Sequence, residues 1–375
     1  MAKLDSAIRY LAVVGCAAMV PSLALGHRSP AQDIPFARGV AHDVTSGVSA
    51  ASFHTGSARF DGEWAFGTFL MATLGLGQVV LSHPEQRPQL LPAMRQSAAR
   101  LTQNRTNAFG TEAWGDVGLD TLAHGRGHGY LGYANLALSM LRLLEPNTPQ
   151  AQLNDELTEA LAQRLAQAPH GLFETYPGET YPPDMSMVAG SIALHDCALG
   201  RSERPFMPAW RRAFARYVDP HSGLLYQAAD AATGAPLGPP RGSGTAIAAY
   251  SLSFADRALS EHLYAGLRRQ AVNLLGFGMM REYPAGHVGS GDIDSGPVLF
   301  GVGVSATGFA LAAAHLHGDD ALFTRLYRTA ELFGVPLGDS TSRHFMSGGP
   351  LGNAILLAMT TATPEWSRHC RRPAS

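Results

Sequence analysis

The chain has 375 residues, 46% of them hydrophobic and 15% charged, enough to bury a large core as one big domain. Its formal net charge is −2 and its basic residues form no cluster, so it carries no electrostatic footprint for nucleic acid, and no DNA or RNA partner is expected.

The chain opens with MAKLDSAIRYLAVVGCAAMVPSLALG, in which Lys3 and Arg9 precede an apolar run from Tyr10 to Gly26, and Ala24 and Gly26 are spaced for cleavage before His27. This is the pattern of a secretory signal peptide and places the protein in the periplasm or outside the cell. Pro21 interrupts the run, which is short for a membrane span; an uncleaved signal anchor, the sole expected membrane contact, is the alternative. Val13 to Cys16 also resembles a lipoprotein box, behind a short apolar stretch. Without the leader, Cys197 and Cys370 remain, in an oxidising compartment. Their spacing does not say whether they pair, and Cys197, inside SIALHDCAL, reads as a small buried hydrophobe.

Residues 27–58 are rich in Ser, Ala, Gly and His without clear periodicity and read as an N-terminal arm. The body, 59–365, is helical almost throughout, and 366–375 is a tail. Apolar periodicity predicts helices over 61–82, 86–104, 128–144, 150–167, 184–199, 205–217, 243–257, 259–275, 297–317, 319–333 and 351–362. Glycine- and alanine-rich helices alternate with more polar, amphipathic ones. Six wholly apolar helices, most followed by a polar one, fit an all-α (α/α)6 toroid with an inner and an outer ring better than a bundle. The long Gly/Pro/aromatic connections 108–127, 168–183 and 276–296 precede inner helices and should line a common mouth. The stretch from Leu224 to Pro240, after the turn at Asp219 to Gly223, predicts a small β-hairpin.

Polar residues collect in those connections. Trp114, Asp116, His124 and His128 lie in the first; the two histidines of HGRGH have no third ligand nearby, so they suit acid–base or hydrogen-bonding roles, and neither metal nor cofactor is expected. Glu174, Tyr176, Glu179 and Tyr181 interleave carboxylates with tyrosines, stiffened by Pro177, Pro182 and Pro183, and lead to Asp184. Asp184 is the favoured general acid or base, with an N-cap as the plain alternative. Asp292 and Asp294 stand among glycines in GSGDIDSG, ahead of the helix expected to start at Pro297; they can share a proton or cap that helix. Arg241 can clamp an anion or balance the acidic wall. No G-x-S-x-G elbow, phosphate-binding loop or dinucleotide fingerprint is present.

From about Ala65 to Leu326 the chain resembles the linalool dehydratase/isomerase family. The resemblance rests on Trp114-Gly115-Asp116, Gly132 to Leu136, the run from Asp184 to Asp196, Asp219-Pro220, and Gly291 to Gly318 with its D-x-D-x-G pattern. It implies an (α/α)6 toroid and an acid–base hydro-lyase or isomerase acting on a small alcohol or terpenoid, with Tyr133, Tyr181 and His128 positioning a hydroxyl. The family's catalytic positions are substituted: Tyr133 stands where it has a histidine, Thr175 and Asp184 where it has cysteines. The alternative is a glycan-acting toroid using paired carboxylates and stacking aromatics such as Trp114, Tyr176 and Tyr181. A non-catalytic binding toroid is the third reading.

Overall fold

The computed structural model describes residues 24–26, 28–124, 128–293 and 295–370. The apolar run of the leader before Ala24 lies outside them. Six largely buried helices form the inner ring: α2 (Ala58–Ser82), α5 (Leu131–Leu144), α7 (Pro182–Leu199), α9 (Gly242–Leu252), α11 (Val304–Leu316) and α13 (Gly349–Thr360). Each packs on the next and α13 packs on α2, which closes the circle. Outside them run α3 (Arg87–Leu101), α6 (Ala151–Gln167), α8 (Met207–Phe214), α10 (Arg257–Arg269) and α12 (Asp320–Gly334), each with one buried face. The architecture is an (α/α)6 toroid. Helix α2 is long and apolar enough to cross a membrane, but its length is spent in this core.

The sixth outer helix comes from the other end of the chain. Residues 27–58, expected to be an arm, hold α1 (Asp33–Thr45), whose Phe36, Ala37, Val40 and Val44 are buried against α2, α3 and α13. Its apolar positions are too few and too interspersed with His, Asp and Arg to have announced a helix. A disulfide between Cys197 at the end of α7 and Cys370, 173 residues on, ties the last turns of the chain to the ring. Cys197 is therefore a covalent partner, where a simple buried hydrophobe was expected.

Inner helices start at one end of the ring. Tyr133 near the start of α5 touches Asp184 near the start of α7, Pro183 abuts Gly244 at the start of α9, and Gly242 abuts Ala306 at the start of α11. Close approach needs missing side chains. A Cβ on Gly190 of α7 would stand 2.4 Å from the Ser251 carbonyl of α9, and one on Gly132 of α5 would stand 2.7 Å from the Val188 amide of α7.

Four two-stranded hairpins sit in connections that enter inner helices. The expected one is β1 (Leu225–Ala229) with β2 (Pro236–Arg241). Of three others, the first two correct the helix boundaries. Helix α10 stops at Arg269, and β3 (Ala271–Leu274) pairs with β4 (Phe277–Met280); β5 (Val298–Leu299) pairs with β6 (Val302–Gly303); β7 (Pro336–Gly338) pairs with β8 (Arg343–Phe345). The first two turn on Leu275-Gly276 and Phe300-Gly301, with both φ values positive in each, which suits a tight two-residue turn and needs glycine in one place. Gly301 is thus a turn residue, Pro297 does not open a helix, and α11 begins at Val304. Likewise 86–104 divides into α3 and a separate α4 (Asn104–Thr111).

Gly190→Ala should lower the midpoint of chemical denaturation by the equivalent of about 1–3 kcal/mol, because a backbone carbonyl occupies the space. Gly308→Ala, in α11 with open space around it, should gain about 0.4–1 kcal/mol. Equal midpoints would mean that the ring is not closely packed at Gly190.

Candidate active site

Helix α7 opens on Pro182-Pro183, which lack the N–H groups that a first turn leaves unpaired in any case. Its N-cap is Tyr181, with no side-chain cap, so Asp184 is not the cap that its position allowed. Instead its carboxylate points to the neighbours. Oδ1 accepts the Tyr133 hydroxyl at 2.8 Å and Oδ2 accepts the Thr175 hydroxyl at 2.6 Å. The Thr175 carbonyl in turn accepts the Trp114 indole N–H at 3.1 Å. The first turn of α5 and the connection before α7 thus hold one carboxylate through two hydroxyl donors.

Around it stands a polar aromatic wall. The Arg59 guanidinium lies 4.3 Å from the centre of the Tyr176 ring. Burial pushes the Tyr176 hydroxyl well above the usual tyrosine range, with the charges of Glu63 and then Asp184 adding to it and Arg59 opposing. Tyr176 thus feels one carboxylate from the first turns of α2 and another from α7. The Tyr181 hydroxyl donates to exposed Glu179 at 2.5 Å, and burial, followed by that bond, raises it as well. Glu174 accepts the Gly178 N–H at 3.0 Å and closes its own turn. His128 is fully buried with φ +64; its ring packs 4.7 Å from Trp114, and its Nε2 is 3.9 Å from Asp116. It supports the wall from behind. The side chain of His124 and all of Asp294 lie outside the described residues.

A second polar cluster lies at the start of α9. Arg241 Nε donates to Glu282 at 2.8 Å, and the rest of its guanidinium forks onto Asp292, with Nη2 at 3.2 Å from Oδ1. Ser243 also donates to Glu282, at 2.6 Å. Glu282 is wholly buried, and burial pushes its carboxyl above the usual range against the pull of Ser243 and Arg241. Asp292 closes a turn with Ser295, and its side chain keeps 46% of its exposure; burial raises its carboxyl, but Arg241 and Ser295 outweigh that and hold it low. Asp292 thus stands beside Arg241, and it caps no helix. Arg241 bridges this pair.

Glu282, Arg59 and Glu63 were not singled out from the sequence. Arg59 and Glu63 belong to the first turns of an inner helix, so position along the chain carried a signal; Glu282 follows a strand that the helical pattern hid.

The chain matches no family model, and no curated protein matches it. Solved structures do. An inactive variant of the alpha-1,6-mannanase GH76A of Salegentibacter sp. HEL1_6, in complex with alpha-1,6-mannotriose, superposes with a TM-score of 0.52 at 12% identity, over 89% of this chain and 99% of that one. The same mannanase without those substitutions superposes with a TM-score of 0.52 at 12% identity, over 88% and 99%. At this identity the likeness is one of fold, and it bears out the toroid. It also corrects the family resemblance: the whole-chain neighbours are alpha-mannanases, and the linalool dehydratase/isomerase reading, with its hydro-lyase and isomerase chemistry, is overturned. The motifs behind that resemblance are those of small residues and turns at ring junctions, which toroids of different chemistry can share.

Removing the buried side of the second cluster should cost far more than removing the open side. Glu282→Ala leaves Arg241 and Ser243 without their shared acceptor and should lose about 3–5 kcal/mol. Asp292→Ala, at a half-exposed pair, should lose at most about 1 kcal/mol. Denaturation midpoints of the two variants check the order.

Proposed function

We propose that the protein is an exported glycoside hydrolase that cleaves a mannose-containing oligosaccharide. The observation that carries this reading is the Asp184 carboxylate, fixed by the Tyr133 and Thr175 hydroxyls at the end of the toroid where inner helices begin, beside Trp114, Tyr176 and Tyr181. Glycoside hydrolysis asks for two carboxylates flanking the scissile bond and for flat apolar surfaces against which sugar rings stack. Asp184 supplies one carboxylate. We assign the second to Glu63 in the first turns of α2, whose charge acts with that of Asp184 on the Tyr176 hydroxyl. One protonates the leaving oxygen while the other acts on the anomeric side, as nucleophile or as base to water. Arg59 holds the Tyr176 ring.

The fold likeness supports the class, since the mannanases that superpose on the chain share its toroid, and one was solved with alpha-1,6-mannotriose. That trisaccharide is the first substrate to test. The Cys197–Cys370 disulfide supports export, because such bonds persist in oxidising compartments.

Alpha-linked mannotriose and longer oligomers should be hydrolysed by the wild-type protein, as followed by chromatography of released sugars. Asp184→Asn keeps the Tyr133 hydrogen bond and should fold within about 1 kcal/mol of wild type, yet lose roughly 10²- to 10⁴-fold in rate. Tyr133→Phe should lose less, since Thr175 still holds the carboxylate. Unchanged turnover in Asp184→Asn would remove Asp184 from the reaction. Tight binding of the oligosaccharides without any hydrolysis would favour a carbohydrate-binding toroid instead.

A further inference from the structure

One guanidinium in the outer ring has no acceptor. Arg325 leaves α12 toward the β3–β4 hairpin, and its stem is pinned there: a Cβ on Gly278 of β4 would stand 2.8 Å from Arg325 Cβ. The residue is half-buried, and among the described residues its side chain makes no hydrogen bond and no ion pair. Arg328, one turn on, shows the ordinary outcome beside this hairpin, since its guanidinium bonds the carbonyls of Leu25 at 3.1 Å and Gly276 at 3.4 Å. Five N–H donors partly withdrawn from water and left unused are costly unless something supplies acceptors.

Arg325 lines a cavity of about 240 Å³ between α10 and α12, together with Arg268, Asp319, Leu322 and the β3 residues Ala271 to Asn273. The Asp319 carboxylate is already committed: Oδ1 accepts the Leu322 N–H at 3.0 Å, and Oδ2 accepts the Tyr264 hydroxyl at 2.7 Å and lies 3.0 Å from Arg268 Nε. Burial raises the Asp319 carboxyl, but Tyr264, Leu322, Arg268 and Arg325 outweigh it and hold it low, so both guanidiniums lie in the field of one carboxylate. Arg268 meets Asp319 through Nε, which leaves its two Nη groups for another acceptor. Asn273 Oδ1 accepts the Gly276 N–H at 3.1 Å, which leaves its Nδ2 as a further donor. The cavity thus presents two positive charges against one negative charge, and donors in excess of acceptors.

We propose that this cavity binds a phosphate group, either free or as the monoester of a small sugar. The two oxygens of a carboxylate are filled by one guanidinium fork, whereas the three terminal oxygens of a phosphate accept from two forks and an amide together. The volume lies below the roughly 300–1,000 Å³ of pockets for drug-sized ligands, so the occupant is small, on the scale of one phosphorylated monosaccharide. Ala271, Val272 and Leu322 give the cavity an apolar floor. None of these residues belongs to the candidate active site, and failure of the proposal would leave the hydrolytic reading untouched.

Isothermal titration calorimetry of the full chain at low salt should show inorganic phosphate binding at a single site, with mannose 6-phosphate competing for it; the ratio of the two affinities tells whether the sugar contributes. Arg325→Gln should weaken both ligands roughly 10- to 100-fold, as the loss of a charged hydrogen-bond donor does. Arg268→Gln, at a side chain 69% exposed and so without effect on packing, should weaken them several-fold. Asp184→Asn should bind phosphate as the wild type does. Absence of phosphate binding at millimolar concentration overturns the proposal. So does an affinity that neither arginine variant changes, or one that Asp184→Asn lowers instead, which would put the phosphate at the candidate active site.

Discussion

Six apolar helices start at one end of this ring, so the unpaired backbone N–H groups of their first turns gather there, together with the positive ends of their dipoles. That end of the molecule favours negative charge. Asp184 and Glu63 lie in the first turns of their helices, and Glu282 and Asp292 gather at the start of α9. The outer helices start at the opposite end, where Asp319 and Asp256 accept the N–H groups that open α12 and α10. The candidate site lies at the end where the inner helices start.

Within that field the two carboxylate clusters are held differently. Asp184 accepts the hydroxyls of Tyr133 and Thr175. Asp292 is matched by a guanidinium that is itself anchored on buried Glu282, which leaves a satisfied ion pair at the mouth. A carboxylate with a fixed cation is a poor proton donor, whereas one held by neutral donors beside aromatic rings can change its protonation with the chemistry around it. This difference, absent from the sequence, is the reason that the proposed reaction is placed on the Asp184 side.

The alternation of glycine- and alanine-rich helices with amphipathic ones was legible because it reflects local burial: a helix enclosed on all sides can carry no charged face, and one with an outer surface must. The hairpin from Leu225 to Arg241 was legible for a similar reason, since its turn residues act locally. The three other hairpins were not. Strand β3 and Gly301 stand in stretches that satisfy a helical pattern, and only their pairing partners make hairpins of them. Helix α1 was hidden for another reason: its buried Phe36, Ala37, Val40 and Val44 are interspersed with Arg38, His42 and Asp43 on its outer face.

Composition and periodicity, then, determined an (α/α)6 ring and placed Trp114, Tyr133, Tyr176, Tyr181 and Asp184 in segments that open inner helices. Tertiary structure decided which of them meet. Tyr133 and Asp184 are 51 residues apart, Arg241 and Glu282 41, and Cys197 and Cys370 173; each pair lies on elements whose own sequences are satisfied without the other. Contacts of that kind are set by the closure of the ring, which fixes the distance between neighbouring helices through glycines such as Gly132 and Gly190, and no local pattern encodes a distance between helices.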